Sequence, residues 1–315
     1  MNNFDYTIPT EIHFGKGQIS RLGEEIARLG KNVLLVYGGG SIKKIGIYGK
    51  VIDILKEQGA NVTELSGVEP NPRIESVRRG VELCRDNNVD VILAVGGGST
   101  IDCSKAVAAG VFYDGDAWDI VVDSSKITKA LPIVTVLTLS ATGSEMNGNA
   151  VISNLSTNEK IGLSSDLVRP RASILDPEYT YTVSKKQTAA GTADIMSHVF
   201  EIYFTNVKDA FLQARLCEAV LKTCIRYGRA AIDKPDDYEA RANLMWASSL
   251  ALNSLLSYGA EVAWTVHPME HELSAFYDIT HGEGLAILTP HWMKYCLNDK
   301  TVAKFAEYGV NVWGF

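Results

Sequence analysis

Between residues 31 and 139 short apolar runs alternate with helical patterns, and this alternation restricts the fold more than any other feature of the chain. KNVLLVY (31–37), NVTELSGV (61–68), DVILAV (90–95) and PIVTVLTL (132–139) are aliphatic, β-branched runs of strand length. Between them Val51, Ile52 and Leu55, then Ile74, Val77, Val81 and Cys84, recur at helical spacing. Apolar strands joined by helices require a parallel sheet covered on both faces. From about residue 183 the strand-like runs give way to long helical patterns over 186–204, 207–231 and 236–257. A chain of 315 residues is also longer than one core sustains. The expected organisation is an α/β domain over 1–182 and an all-helical domain over 183–315.

Composition removes several function classes. A net charge of −7 offers no basic face to a phosphate backbone, so no nucleic-acid partner is expected. The longest apolar run, LPIVTVLTL (131–139), is too short to span a bilayer, so no membrane partner is expected either. MNNFDYTIPTEIHFGKG at the amino end lacks the basic segment and apolar run of a secretory leader. Cys84, Cys103, Cys217, Cys224 and Cys296 are odd in number and include no C-x-x-C pair. The first four lie among apolar residues of helical patterns and read as buried free thiols of a reducing cytoplasm.

The helical half carries two helix-spaced pairs, Asp194/His198 and His267/His271, with His281 a short way beyond. Residues four apart lie above one another on one helix face, so each pair can reach a single ion. Four of the six histidines in the chain fall in this constellation. Asp with imidazoles suits Fe²⁺ or Zn²⁺ better than Mg²⁺ or Ca²⁺, which favour oxygen cages.

The α/β half carries two glycine-rich turns, each at the carboxyl end of a strand. GGGSTIDCSK (96–105) follows the third strand and opens a helix. Its glycines allow close backbone approach to a diphosphate, and the first N–H groups of the helix favour negative charge. Gly38, Gly39, Gly40 and Ser41 form the second turn. Neither is a G-x-G-x-x-G fingerprint nor a Walker loop. An acid after the first strand would accept the ribose 2′-OH of NAD(H) and repel a 2′-phosphate. No acid stands there, and Lys43 and Lys44 lie just beyond. NADP(H) is therefore the expected cofactor.

VEPNP (68–72), GGGSTIDCSK (96–105), TLSATGSEMN (138–147), LDPEYT (175–180), TADIMSH (192–198) and HPMEHELSAFYDITHGEG (267–284) together resemble the iron-containing alcohol dehydrogenases, in particular their NADPH-dependent butanol dehydrogenase and aldehyde reductase branch. The resemblance extends from FGKG (14–17) to HGEGLAIL (281–288). It implies a Rossmann-like dinucleotide-binding domain followed by an all-α metal-binding domain of the dehydroquinate synthase-like fold. It implies Asp194, His198, His267 and His281 as ligands, with His271 beside the nicotinamide and substrate as a catalytic proton relay. Gly97, Gly98 and Ser99 would hold the diphosphate, Asp102, Thr138, Thr142 and Lys160 would line the cofactor, and Asn71 would lie near its adenosine portion. Without the resemblance those last five read as structural, Thr138, Thr142 and Asn71 as turn formers and Lys160 as a surface lysine. Relatives continue past the GVNVWGF at which this chain stops, so the metal domain is expected to be shortened at its carboxyl end.

The expected activity is metal-assisted hydride transfer between NADP(H) and a short- to medium-chain aldehyde or primary alcohol, by a cytoplasmic homodimer. Polyol dehydrogenases and a dehydroquinate synthase-like lyase share the architecture. A lyase acting on a phosphorylated substrate needs basic residues in the helical cleft, whereas Trp264, Met269, Leu273, Phe276 and Tyr277 surround the metal motifs. The alternative from outside enzymology is a shortened, non-catalytic protein.

Overall fold

A computed structural model describes residues 1–205, 207 and 209–315. They divide into an α/β unit, Pro9–Leu139 with Ser144–Thr182, and a helical unit, Val183–Phe315 with Met1–Ile8 and Ser140–Gly143. The expected spans of 1–182 and 183–315 thus need correction at two short segments. Asn2 N donates to Gly259 O at 2.9 Å, and Phe4 and Tyr6 each lie 5.3 Å from the Tyr258 ring. At Gly143, in a left-handed turn, a Cβ would come within 2.8 Å of Ser248 O, so only glycine lets 140–143 lie this close.

In the α/β unit, strands β1 (Glu11–Phe14), β2 (Asn32–Tyr37), β3 (Asn61–Leu65), β4 (Val91–Gly96), β5 (Ile133–Leu137), β6 (Asn149–Asn154), β7 (Glu159–Ser164) and β8 (Ala172–Leu175) are interleaved with helices. The helices are α1 (Leu22–Ala27), α2 (Ser41–Lys44), α3 (Ile47–Glu57), α4 (Ile74–Asp86), α5 (Gly98–Gly110) and α6 (Ala117–Val122). Six strands form a parallel sheet in the order β1-β8-β5-β4-β2-β3. Alternate side chains of β2 enter opposite cores: Leu34 and Val36 join Val77, Val107 and Ile120, while Val33, Leu35 and Tyr37 join Leu22, Val51 and Leu55. The period of two explains why these strands are apolar throughout.

The chain leaves β2 towards β3 on one side and leaves β4 towards β5 on the other. The sheet therefore reverses direction between β2 and β4, the crevice where doubly wound sheets hold their ligands. Both glycine-rich turns lie at the carboxyl ends of those two strands. The antiparallel β6–β7 hairpin, outside the main sheet, is an element the hydrophobic pattern did not mark.

The helical unit contains α7 (Lys185–Tyr203), α8 (Phe211–Asp233), α9 (Tyr238–Ala251), α10 (Val266–Tyr277), α11 (His281–Cys296) and α12 (Val302–Tyr308). Ser184 caps α7 by accepting from Gln187 N at 3.2 Å. Ile195, Val199, Leu221, Cys224, Leu244 and Ala247 join α7, α8 and α9 in one core. Helix α9 ends at Ala251 rather than 257 because Ser254 takes a left-handed conformation (φ 80°) and Asn253 Oδ1 accepts from Leu255 N. Among the described residues no helix is long and apolar enough to cross a membrane.

Candidate functional site

Asp194, His198 and Glu201 share one face of α7 at spacings of four and three. His267 lies in the first turn of α10 and His281 is the first residue of α11. Their side chains meet. Asp194 Oδ1 lies 3.5 Å from His198 Nδ1 and 3.7 Å from the Nε2 atoms of both His267 and His281. Donor atoms of Asp194, His267 and His281 all fall within 4.8 Å of one another. His198 sits beside this trio, its ring stacked on that of His267 at 4.5 Å. His271, Glu270 and His281 form a second grouping of the same spacing, and the His271 and His281 rings are 5.7 Å apart. The Trp264 ring lies roughly perpendicular to those of His267 and His198, with centroids 5.3 and 6.3 Å away. Met269, Phe276 and Tyr277 are exposed.

These residues fit a divalent ion. Two donors on a tetrahedral centre with bonds of about 2.0–2.2 Å lie roughly 3.4 Å apart, close to the 3.7 Å seen here. Among the described residues, Asp194 Oδ1, His198 Nδ1 and His267 Nε2 are buried with no hydrogen-bond partner, and each such atom costs about 1–3 kcal/mol if nothing satisfies it. Burial works to raise the Asp194 carboxyl, but His198, His267 and His281 outweigh it and hold the group below the usual carboxylate range. Burial pushes His198 down to about 3, keeping its ring neutral. Burial also disfavours charge on His267, yet Asp194 and Glu201 bring that ring up to about 9. A cation in the centre would replace that proton as the balancing charge.

Two buried carboxylates stand behind these imidazoles, and neither was singled out in the sequence. Glu201 accepts from His267 Nδ1 and from the backbone N–H groups of Thr265, Val266 and His267. Glu270 accepts from His281 Nδ1 and from Ser274 Oγ. A signal was available: Glu201 continues the Asp194/His198 face, and Glu270 sits inside the HPMEHE motif.

In the α/β unit, Gly97 precedes α5, and Gly98 and Ser99 form its first turn. A Cβ at Gly97 would meet Leu139 Cβ at 3.1 Å, and one at Gly38 would meet Val68 O at 3.1 Å, whereas Gly39 has open space within 4 Å. Asp102 ties α5 to the chain ahead of and within β6, accepting from Ser144 Oγ at 2.5 Å and Val151 N at 3.0 Å. Lys105, one turn on and fully buried, donates to Ser144 Oγ, Asn147 Oδ1 and Asn149 O. Thr138 N donates to Gly96 O at 3.0 Å, joining the ends of β5 and β4. Thr142 belongs to the helical unit. Lys160 on β7 is buried rather than a surface lysine. Asn71 adopts φ 50°, the left-handed conformation that asparagine tolerates before Pro72. Lys43 lies over the rings of Tyr37 and Tyr48 at 5.0 and 4.5 Å, and both hydroxyls donate to Glu64. The basic group expected beside Ser41 is thus drawn towards an acid.

The sequence matches the family model for iron-containing alcohol dehydrogenase over residues 9–177 and that for the C-terminal part of the Fe-containing alcohol dehydrogenase family over 188–314. NADH-dependent butanol dehydrogenase A of Clostridium acetobutylicum is 65% identical over 314 residues, which span 100% of this chain and 81% of that one. The NADPH-dependent aldehyde reductase of Escherichia coli is 43% identical, over 99% of this chain and 81% of its own. The crystal structure of NADH-dependent butanol dehydrogenase A from Thermotoga maritima aligns with a TM-score of 0.97 at 47% identity, covering 100% of this chain and 79% of that one.

Proposed function

This chain belongs to the iron-containing alcohol dehydrogenase family, and on that footing we propose that it interconverts short- to medium-chain aldehydes and primary alcohols with a nicotinamide dinucleotide. The observation that carries the reading is the convergence of Asp194, His267 and His281, with His198 alongside, where Asp194 Oδ1, His198 Nδ1 and His267 Nε2 are buried without a hydrogen-bond partner among the described residues. These four side chains would hold Fe²⁺ or Zn²⁺. When bound, the ion supplies Lewis-acid polarisation of a carbonyl oxygen and the nicotinamide supplies or accepts hydride. The N–H groups of Gly98 and Ser99 and the Ser99 hydroxyl bind diphosphate oxygens at the α5 terminus. His271, half-buried beside His281, holds or passes a proton at a ring nitrogen.

The finer assignment is NADP(H), supported by the absence of an acid at 38–41 and the open space at Gly39. NADH is the second reading. It is favoured by the engagement of Lys43 with Tyr37 and Tyr48 and by the NADH-dependent names of two relatives above 60% identity. Comparing kcat/KM for NADPH and NADH with butanal separates the two. The expected homodimer is read by sedimentation.

His267→Ala and His281→Ala are expected to lose both bound metal and aldehyde reduction, and His271→Ala to keep its metal while slowing turnover. Metal analysis beside an NAD(P)H-oxidation assay checks this. Loss of metal in His271→Ala with retention in His198→Ala would move the fourth ligand to His271.

A further inference from the structure

We infer that Glu201 and Glu270 are positioning residues for the metal centre, each fixing which ring nitrogen of its histidine faces the ion and where that ring stands. The inference rests on the reading of Asp194, His267 and His281 as ligands. An ionised carboxylate only accepts hydrogen bonds. The contacts of Glu201 with His267 Nδ1 and of Glu270 with His281 Nδ1 therefore place the proton on Nδ1. In the neutral ring that a metal ligand requires, this leaves the lone pair on Nε2, and both Nε2 atoms stand 3.7 Å from the same Asp194 oxygen. The two glutamates are 3% and 0% exposed, so neither rotates into water, and backing of this kind also raises the basicity of the ligand ring.

The glutamates also fix spacing between helices. Helix α10 receives no side-chain cap from its own Thr265. Its first N–H groups go to Glu201 of α7, the helix that carries Asp194. One carboxylate thus sets both the entry of α10 and the orientation of His267. Glu270 of α10 does the corresponding work for His281 at the start of α11, and Ser274 Oγ holds its second oxygen. Gly284 leaves room for it, since a Cβ there would approach Glu270 Cγ to 2.8 Å. The three helices that carry Asp194, His267 and His281 are linked through two glutamates.

The test is a competitive titration of the metal-stripped, full-length chain with Zn²⁺ against a chromophoric chelator, with circular dichroism monitoring the fold. Glu201→Gln and Glu270→Gln present an amide that donates where a pure acceptor is needed. Each is expected to weaken Zn²⁺ binding about 10- to 100-fold, and Ser274→Ala to weaken it a few-fold. The visible absorption of the Co²⁺-loaded Glu270→Gln variant should differ from that of the parent. If Glu201→Gln does not fold, Glu270→Gln and Ser274→Ala still decide the matter. A folded Glu270→Gln variant that binds Zn²⁺ as tightly as the parent, with only a lower Tm, would show a structural role alone and overturn the inference, as would a parent that binds no Zn²⁺. A parent that binds Zn²⁺ through these glutamates yet reduces no aldehyde would refute the proposed activity and leave the positioning role standing.

Discussion

Substituting Gly282 by Ala tests whether the approach of α11 to α7 sets the metal geometry. Gly282 follows His281, and a Cβ built on it would lie 2.0 Å from the Ala190 carbonyl oxygen and 2.6 Å from its carbon. Ordinary contact is more than about 1 Å longer. Ala190 O is backbone in the middle of the 19-residue α7 and cannot rotate aside, so the start of α11 has to withdraw by about 1 Å. His281 moves with it. Metal–donor bonds tolerate changes of about 0.2 Å, so the Nε2 that stands 3.7 Å from Asp194 Oδ1 would no longer reach the ion proposed to bind there. Overpacking of this kind costs about 1–3 kcal/mol, and a displacement of about 1 Å in a reacting constellation costs on the order of 100-fold in rate. Urea denaturation of the metal-free protein reads the first effect, and Zn²⁺ competition with an aldehyde-reduction assay reads the second. Gly49→Ala is the control, because Gly49 lies inside α3 with nothing within 4 Å of the added carbon. There the same change should stabilise by up to about 1 kcal/mol. A Gly282→Ala protein matching the parent in stability, metal affinity and turnover would refute the reasoning.

Burial pushes the thiols of Cys84, Cys103, Cys217 and Cys224 up to about 12, so iodoacetamide at pH 8 should modify only Cys296 in the native protein and all five cysteines in guanidinium; rapid native labelling of any of the four, read by mass spectrometry, contradicts their burial. Burial also pulls Lys105 down from 10.5 to about 7, against Asp102 and Glu145 which hold it up. Between those values the unfolded chain binds a proton that the folded chain has released, so stability attributable to Lys105 rises with pH across that window and is lost as pH falls towards 7. Lys105→Met should remove the rise, and equal changes in denaturation midpoint between pH 7 and 9 in parent and variant would disprove it. Gly39→Asp adds a carboxylate that can accept a ribose 2′-OH and repels a 2′-phosphate, worth about 1–3 kcal/mol or tenfold or more in preference. The ratio of kcat/KM for NADPH over NADH should fall by that factor, and an unchanged ratio would show that the β2 turn does not select the cofactor.

What could be read from the sequence was local, and what could not was tertiary. Strands β2, β4 and β5 were legible because both their faces are buried, so every residue had to be apolar. β1 and β8, four residues each, are too short for any period to emerge. The β6–β7 hairpin alternates around Leu155–Asn158, a turn whose left-handed Asn158 is the one clear marker. Asp194/His198 and His267/His271 were legible because a spacing of four fixes a helix face before any packing is known. Which of those imidazoles meet depends on how α7, α10 and α11 pack. The structure draws His267 and His281 onto Asp194, leaves His198 stacked beside them, and brings His271 next to His281. Glu201 and Glu270 were missed for the same reason, since an acid in a helix reads as solvated until the partner helix is known. Their spacing nonetheless held the clue. A carboxylate that continues the face of a ligand pair, or lies between two ligand histidines, can be buried only where an imidazole N–H or a helix terminus receives it, and here Glu201 finds both.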